Sequence, residues 1–417
     1  MFSIVATETS LLTFMSLPGI GFREDNLFFL QLGLGYIIGR ILSAYFLIPM
    51  YYHSNVISIY ELIGKRFNIK VQKLSSIIFL ITRLLADGVR FLLTAIVIQY
   101  ILDIPIEYCI LIIGIVTLVY SIFGGVKTII QIDSIQFFIY VFGGLFTIIY
   151  ILKTSNIDFY DSISSFFNKE IFKISTDSVF YDHYFFFNAL IGGVFLSFCS
   201  HGIDYMMVQR ALCTKDIKSA QKSMIGSGFL VFVQFIIFLF VGYLLSEFYL
   251  DKNIEFTKDR EFAYFIMKDL PFGIKGILIA GVLSAAMSTL SSSINALSSS
   301  SIIDLKINLG NQTKLYIGIF WSILLMGIAL FFDEGNEALI ITGIKIASFT
   351  YGILLALFVL VKIDKKFSNL SLLLGMIVAF SSVLLFSFYG IAWTLLILIG
   401  FSINIGVVFL INAIEEK

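Results

Sequence analysis

Long apolar runs alternate with short polar connections along the whole of this sequence. Twelve of the runs reach the length of about 17–25 residues that an α-helix needs to cross a bilayer. They cover 1–21, 27–50, 72–101, 105–123, 126–152, 183–206, 220–247, 272–302, 314–332, 337–361, 368–388 and 391–413. The pattern predicts an all-α membrane protein of about twelve transmembrane helices.

The connections predict a direction. One set holds Lys65, Arg66 and Lys70, then Lys127, then Arg210, Lys215 and Lys218, then Lys306, then Lys362, Lys365 and Lys366. The opposite set holds Arg23 beside Glu24 and Asp25, then Asp103 and Glu107, then Asp333, Glu334 and Glu337. The two sets alternate through all the spans. Short loops rich in Lys and Arg stay in the cytoplasm. The first helix is therefore expected to run outward and both termini to be cytoplasmic. The segments 153–182 and 248–271 are then outside, and the expected location is the inner cell membrane.

Composition agrees with this picture. Hydrophobic residues make up 59% of the 417 and charged ones only 13%, where a soluble domain carries about 25% charge. Lipid is thus the expected neighbour of most of the surface. Basic and acidic residues balance at 28 each, which leaves no case for nucleic acid as a partner. Cys109, Cys199 and Cys213 are too scattered for a metal site or a disulfide framework. No basic stretch follows Met1, so a cleavable signal peptide is not expected.

Polar residues inside the spans carry the candidate chemistry, because a charge at the bilayer centre costs about 2.5–3.5 kcal/mol on insertion scales. The third span places Arg83, Asp87 and Arg90 on one helical face, and the trio sums to one positive charge. It is either an internal ion pair that supports folding or a receptor for an anionic group such as a carboxylate. Asp133 stands alone in the fifth span and needs a cation, a proton or a donor network. The eighth span is rich in hydroxyls, with Ser284, Ser288, Ser291 and Ser292 on one side and Thr289 close by. Small residues there permit tight helix packing. Their oxygens also suit a desolvated alkali cation.

The first span contains a polar stretch, Ala6 to Ser10, and the sixth contains Ser197, Ser200, His201, Gly202 and Asp204. Such interruptions predict broken helices whose freed carbonyls hold cations and whose ends hold anionic groups. The two breaks lie five spans apart, the offset of two inverted five-helix repeats. His201 alone reads more readily as a structural histidine. Lys345 in the tenth span has no assigned role.

Taken in order, "ATETSLLTFMSLPG" at 6–19, "ISIYELIGKRF" at 57–67, "SIFGGVKTIIQIDSIQ" at 121–136, "SHGIDYMMVQRAL" at 200–212, "IAGVLSAAMSTLSSSINALSSSSIIDL" at 279–305 and "IASFTYG" at 346–352 resemble the sodium/solute symporter family. The resemblance implies two inverted five-helix repeats with broken first helices, over 1–152 and 183–362, followed by two accessory helices in 363–417. It implies sodium as the coupling ion and a small polar solute as cargo. One sodium site would use the backbone carbonyls of Ala6, Thr9 and Ala285 and the hydroxyls of Ser288 and Thr289. A second would use Asp133, Ser291 and Ser292. Solute would meet Ser10, Thr13, Gln31 and Arg90 by position.

The chain departs from the family pattern at its start. Met1 falls five residues before Ala6, short of the family's complete first core helix. The chain therefore either begins later than its gene or is a shortened member, and in the second case the inner gate is expected to be incomplete. Glu8 adds a charge where the family is neutral. With the sequence ending at residue 417, the family's kinase-fused sensor form is not expected. Two other classes compete with this one. A membrane-embedded enzyme would need a nucleophile with a base or a metal pair, and His53, His183 and His201 share no motif. A channel or receptor on the same scaffold would bind cations without coupled uptake.

Overall fold

A computed structural model describes residues 1–8, 11–54, 56–123, 126–155, 157–250, 252, 254–332 and 338–416, without the side chains of residues 11, 12, 101, 120–130, 132, 284, 285 and 288. The described residues form helices and connecting loops. α1 (Phe2–Glu8) and α2 (Leu11–Arg23) come first, then α3 (Phe29–Leu42), which passes through a π-helical turn at Ser43–Leu47 into α4 (Ile48–Ser54). Next are α5 (Tyr60–Arg66), α6 (Ile69–Leu102), α7 (Ile106–Phe123), α8 (Val126–Thr154) and α9 (Phe159–Asn168). The second half holds α10 (Phe186–Gly202), α11 (Tyr205–Leu212), α12 (Ile217–Tyr249), α13 (Glu261–Lys268), α14 (Phe272–Ile303) and α15 (Thr313–Phe331). It closes with α16 (Leu339–Ser348), α17 (Tyr351–Lys362), α18 (Asn369–Phe388) and α19 (Trp393–Glu415).

Each apolar run falls on one helix or on a pair. Among the described residues, six helical stretches are long and apolar enough to cross a bilayer, or eight if each of two bent pairs counts as one span. The pairs are α10–α11, bent by 63°, and α16–α17, bent by 43°. α6, with 34 residues, and α14, with 32, also have the length to cross. They carry the polar side chains of the candidate site.

The local causes are legible. Asn68 starts α6 by accepting hydrogen bonds from the N–H groups of Lys70 (2.7 Å) and Val71 (3.0 Å), an N-cap. Asp103, in the left-handed region at φ 54°, ends it. The expected break of the sixth span is present between Gly202 and Asp204, and Asp204 caps α11 through the Met206 N–H at 3.0 Å. The expected break of the first span falls at Thr9 and Ser10, which lie outside the described residues. The bend in the tenth span was not anticipated. Its hydroxyls bond back to backbone, Ser348 to the Lys345 carbonyl at 2.7 Å and Thr350 to that of Ala347 at 3.5 Å. Such bonds compete with the helical ladder.

Glycines set the closest helix contacts. A Cβ on Gly242 of α12 would stand 2.1 Å from the Pro18 carbonyl oxygen of α2, and one on Gly193 of α10 would stand 2.3 Å from that of Leu32 in α3. Both contacts require residues without a side chain. They hold α2 against α12 and α3 against α10, and these four helices surround the polar centre.

Candidate functional site

The site begins with the polar face of α6. Arg83 grips Asp87 with two bonds, Nε to Oδ2 at 2.7 Å and Nη2 to Oδ1 at 3.0 Å. Arg90 Nη1 donates to the other side of the same carboxylate, at 2.6 Å from Oδ1. The remaining arm of Arg83 reaches across the bundle to Asp204 Oδ2 at 2.8 Å. Tyr351 of α17 donates its hydroxyl to that same oxygen at 2.8 Å. Two arginines therefore meet two aspartates, and the group is neutral.

This corrects the sequence-based sum of one surplus positive charge. The balancing acid comes from the break in the sixth span, where Asp204 is exposed to only 1%. Folding puts residues 121 positions apart into contact, and counting along one helix cannot find such a pair.

Glu8 has a different partner from the α6 arginines. It pairs with Arg40 of α3, which is fully buried and also donates to Ser227 of α12. Glu8 Oε2 lies 3.5 Å from His201 Nε2, and the other ring nitrogen of His201 lies 2.8 Å from Ser200 Oγ. Sequence reasoning missed Arg40. The signal was available, since an arginine inside an apolar run calls for a partner or a use.

Between these two charged groups lies a cavity of about 90 Å³. Glu8, Thr13, Arg83, Arg90, His201 and Tyr351 are among its walls. Arg90 keeps 17% of its side chain exposed there, and its buried Nε has no hydrogen-bond partner. Of the four expected solute residues, Thr13 and Arg90 line the cavity. Ser10 lies outside the described residues. Gln31 is elsewhere: its amide donates to the Tyr184 and Phe28 carbonyls at 2.9 and 3.1 Å and accepts from the Lys173 N–H at 3.2 Å. It ties α3 to the loop before α10.

The expected cation ligands divide in the same way. Ala6 is buried in α1, and Thr289 is 6% exposed, with its carbonyl accepting from Ser293 Oγ at 3.1 Å. Thr9 and the side chains of Ala285 and Ser288 lie outside the described residues. Asp133 is 2% exposed, and its Oδ2 accepts from Ser3 (2.8 Å) and Thr7 (3.2 Å) of α1. The same oxygen faces Arg210 of α11 at 3.3 Å, and that guanidinium also donates to Ser292 Oγ at 3.0 Å. Ser291 is buried beside them at 1% exposure. Asp133 and Ser292 are thus brought together, with an arginine bridging them.

The break in the sixth span carries no spare carbonyls at 201–203. The His201 carbonyl accepts from Ser43 Oγ at 2.8 Å, that of Gly202 from Tyr51 at 2.5 Å and that of Ile203 from Tyr60 at 2.9 Å. Hydroxyls from the second span and α5 clamp it.

Two further polar clusters, neither of them in the cavity lining, tie helices to one another. In one, Arg23 of α2 pairs with Glu261 of α13, and Asp259 accepts from the Leu339 N–H of α16 at 2.8 Å. In the other, Asp304 gathers Ser58 (2.8 Å), Gln72 (2.9 Å) and Ser300 (2.8 Å).

A cavity walled by charged side chains beside a bent helix pair, in a chain with six to eight apolar stretches long enough to cross a bilayer among its described residues, fits a multi-pass membrane transporter. The family model "Sodium:solute symporter family" matches residues 1–379, and the chain belongs to that family. Among curated proteins it is 26% identical to the sodium/sialic acid symporter NanT of Aliivibrio fischeri (strain ATCC 700601 / ES114), over 95% of this chain and 83% of that one. It is also 26% identical to the sodium/sialic acid symporter SiaT of Proteus mirabilis (strain HI4320), over 71% of this chain but only 61% of that one. Among solved structures, a substrate-bound, outward-open Na+-coupled sialic acid symporter superposes with a TM-score of 0.84 at 23% identity, covering 99% of this chain and 89% of that one. Mhp1, a nucleobase-cation-symport-1 family transporter in a closed conformation, superposes with a TM-score of 0.65 at 12% identity, covering 100% and 92%. These last two likenesses concern the fold.

Proposed function

We propose that this protein is a sodium-coupled symporter that carries a small carboxylate-bearing solute, such as a sugar acid or another organic acid, by alternating access. The observation that carries this reading is the charge balance of the cavity. Arg83 and Arg90 are offset by Asp87 and Asp204, and Arg40 by Glu8. A sodium ion entering this neutral interior adds one positive charge, and a carboxylate cancels it. Arg90, with an unused Nε at the cavity wall, is the group placed to receive the carboxylate. Thr13 adds a hydroxyl.

Sodium would be held first by the carbonyls of Ala6, Thr9 and Ala285 with Ser288 and Thr289. Asp133, Ser291 and Ser292 form the second site when Arg210 withdraws. The architecture we assign is twelve spans, with inverted repeats over 1–152 and 183–362 and accessory helices in 363–417. The paired glycine contacts support it, because exchanging the repeats turns first-with-seventh packing into sixth-with-second. Both termini are assigned to the cytoplasm from the loop charges. A bilayer, sodium and a small solute are then the partners.

A neutral sugar is the second reading, favoured by Glu8, which offers the cavity a carboxylate acceptor. Uptake into proteoliposomes separates the two. The expected result is accumulation that needs sodium and is inhibited by a free acid at least tenfold more strongly than by its methyl ester. Arg90→Lys should abolish that preference, since lysine lacks the planar fork. Equal inhibition by acid and ester selects the neutral solute. Equal uptake in potassium overturns the sodium coupling.

A further inference from the structure

The charged centre leaves a second cavity unused. It measures about 260 Å³ and lies between α7, α14 and α15, lined by Leu118, Asn295, Ser298, Asn311, Gln312 and Lys314 among others. Ser298 is only 2% exposed, and its hydroxyl has no hydrogen-bond partner. That oxygen stands 3.9 Å from the place of a Cβ on Gly318, itself part of the α15 wall. The hydroxyl is therefore directed into the cavity. Asn295 lies one helical turn away on the same face of α14. An unsatisfied hydroxyl between membrane helices is costly, so an occupant that accepts its hydrogen bond is favoured.

The cavity's other wall is positive. α15 has 19 residues, its N-cap Gln312 makes no side-chain capping bond, and its first turn supplies Lys314 to the lining. The N-terminal end of a helix attracts anions, although the Thr313 N–H is already taken by the Gly310 carbonyl at 3.2 Å. Lys314 adds a full charge and enters no ion pair among the described residues. Beyond this polar end, the flanking helices turn apolar side chains outward: Ile115 and Val119 on α7, Phe320 and Ile323 on α15.

We propose that this cavity binds the phosphate group of an anionic phospholipid from the cytoplasmic leaflet, its acyl chains lying along α7 and α15. Ser298 and Asn295 donate hydrogen bonds to the phosphate oxygens, and Lys314 with the start of α15 neutralises them. The leaflet assignment rests on the orientation proposed above. Anionic lipid is concentrated at that surface and draws basic residues toward it.

The test uses the full chain in detergent, with phosphatidylglycerol and phosphatidylcholine of identical acyl chains. Native mass spectrometry and the thermal midpoint are the readouts. Phosphatidylglycerol should be retained and raise the midpoint, and phosphatidylcholine should do neither. Lys314→Gln and Ser298→Val should each weaken retention roughly tenfold, the effect of losing one hydrogen bond to a charged group. Gly318→Leu keeps every polar group but fills the space, and should also expel the lipid. Equal retention of both lipids, or undiminished phosphatidylglycerol in all three variants, overturns the proposal. Glycerol 1-phosphate binding as tightly as the lipid would overturn the lipid source and leave a soluble phosphate. A wrong orientation would leave the detergent result intact and appear instead as labelling of a Lys314→Cys variant from outside the cell.

Discussion

Single residues in this protein are decided by where their charge goes. Asp204 accepts from Arg83 and Tyr351 and caps α11 at once. Removing its charge leaves Arg83 half-paired in a buried site, a change worth about 3–5 kcal/mol. Asp204→Asn should therefore lower the thermal midpoint far more than Gln31→Leu, which removes only neutral hydrogen bonds. Similar losses in both would show that the ion pair does not hold the bundle. Arg210 poses the converse question. Its guanidinium occupies the space between Asp133 and Ser292 that the proposed second sodium would need. Arg210→Gln should free the carboxylate and raise sodium affinity, with an unchanged or higher Hill coefficient. Asp133→Asn should bring that coefficient toward one. A sodium response indifferent to both changes would remove Asp133 from the coupling machinery.

Secondary elements are positioned here by the absence of side chains as much as by their presence. The α2–α12 contact closes on Gly242, where any Cβ meets the backbone of Pro18 at 2.1 Å. Backbone cannot rotate away, so overpacking of about 1–3 kcal/mol is the least to expect. Gly276 of α14 has nothing within 4 Å of its would-be Cβ. Gly276→Ala should be neutral or stabilising by up to about 1 kcal/mol through helix propensity, whereas Gly242→Ala should destabilise. Thermal unfolding of the two variants in one detergent checks the contrast. The reverse order would mean that the helices do not pack through this face.

For the whole molecule, the proposed alternating access would require the Arg23–Glu261 and Asp304 clusters to loosen in turn. The Arg23–Glu261 cluster has a titratable character. Burial raises the carboxyls of both Asp259 and Glu261 above their usual range, with Arg23 opposing in each case and Lys258 also facing Asp259. A loosened cluster returns the acids to water and to ordinary values near 4. The closed form therefore binds protons more tightly. It is favoured at low pH on that side and loses this stabilisation as pH rises through the raised values. Raising pH on that face should speed opening and the initial rate of uptake. Asp259→Asn should flatten the profile and hold the cluster closed. Vesicle uptake at fixed internal pH, scanned over external pH, measures it, and an unaltered slope in the variant would discount the latch.

Sequence alone determined the class and the family, because these rest on local quantities. The bilayer imposes a minimum apolar length, the loops a charge bias, and the motifs near 6–19, 121–136 and 279–305 a recognisable order. It also picked out polar positions inside the apolar runs: Arg90, Asp133, Asp204 and the hydroxyls of α14. Only the tertiary structure decided their partners. Asp204 neutralises Arg83 from 121 residues away, Arg40 takes Glu8 away from the α6 arginines, and Arg210 takes the place beside Asp133 expected for a cation. Gln31 looked like a solute ligand by position and instead fastens a loop. The physical reason is the same in each case. The cost of burying a polar group can be read from its place in an apolar run, but the group that repays it stands on another helix, and helix packing alone brings the two together.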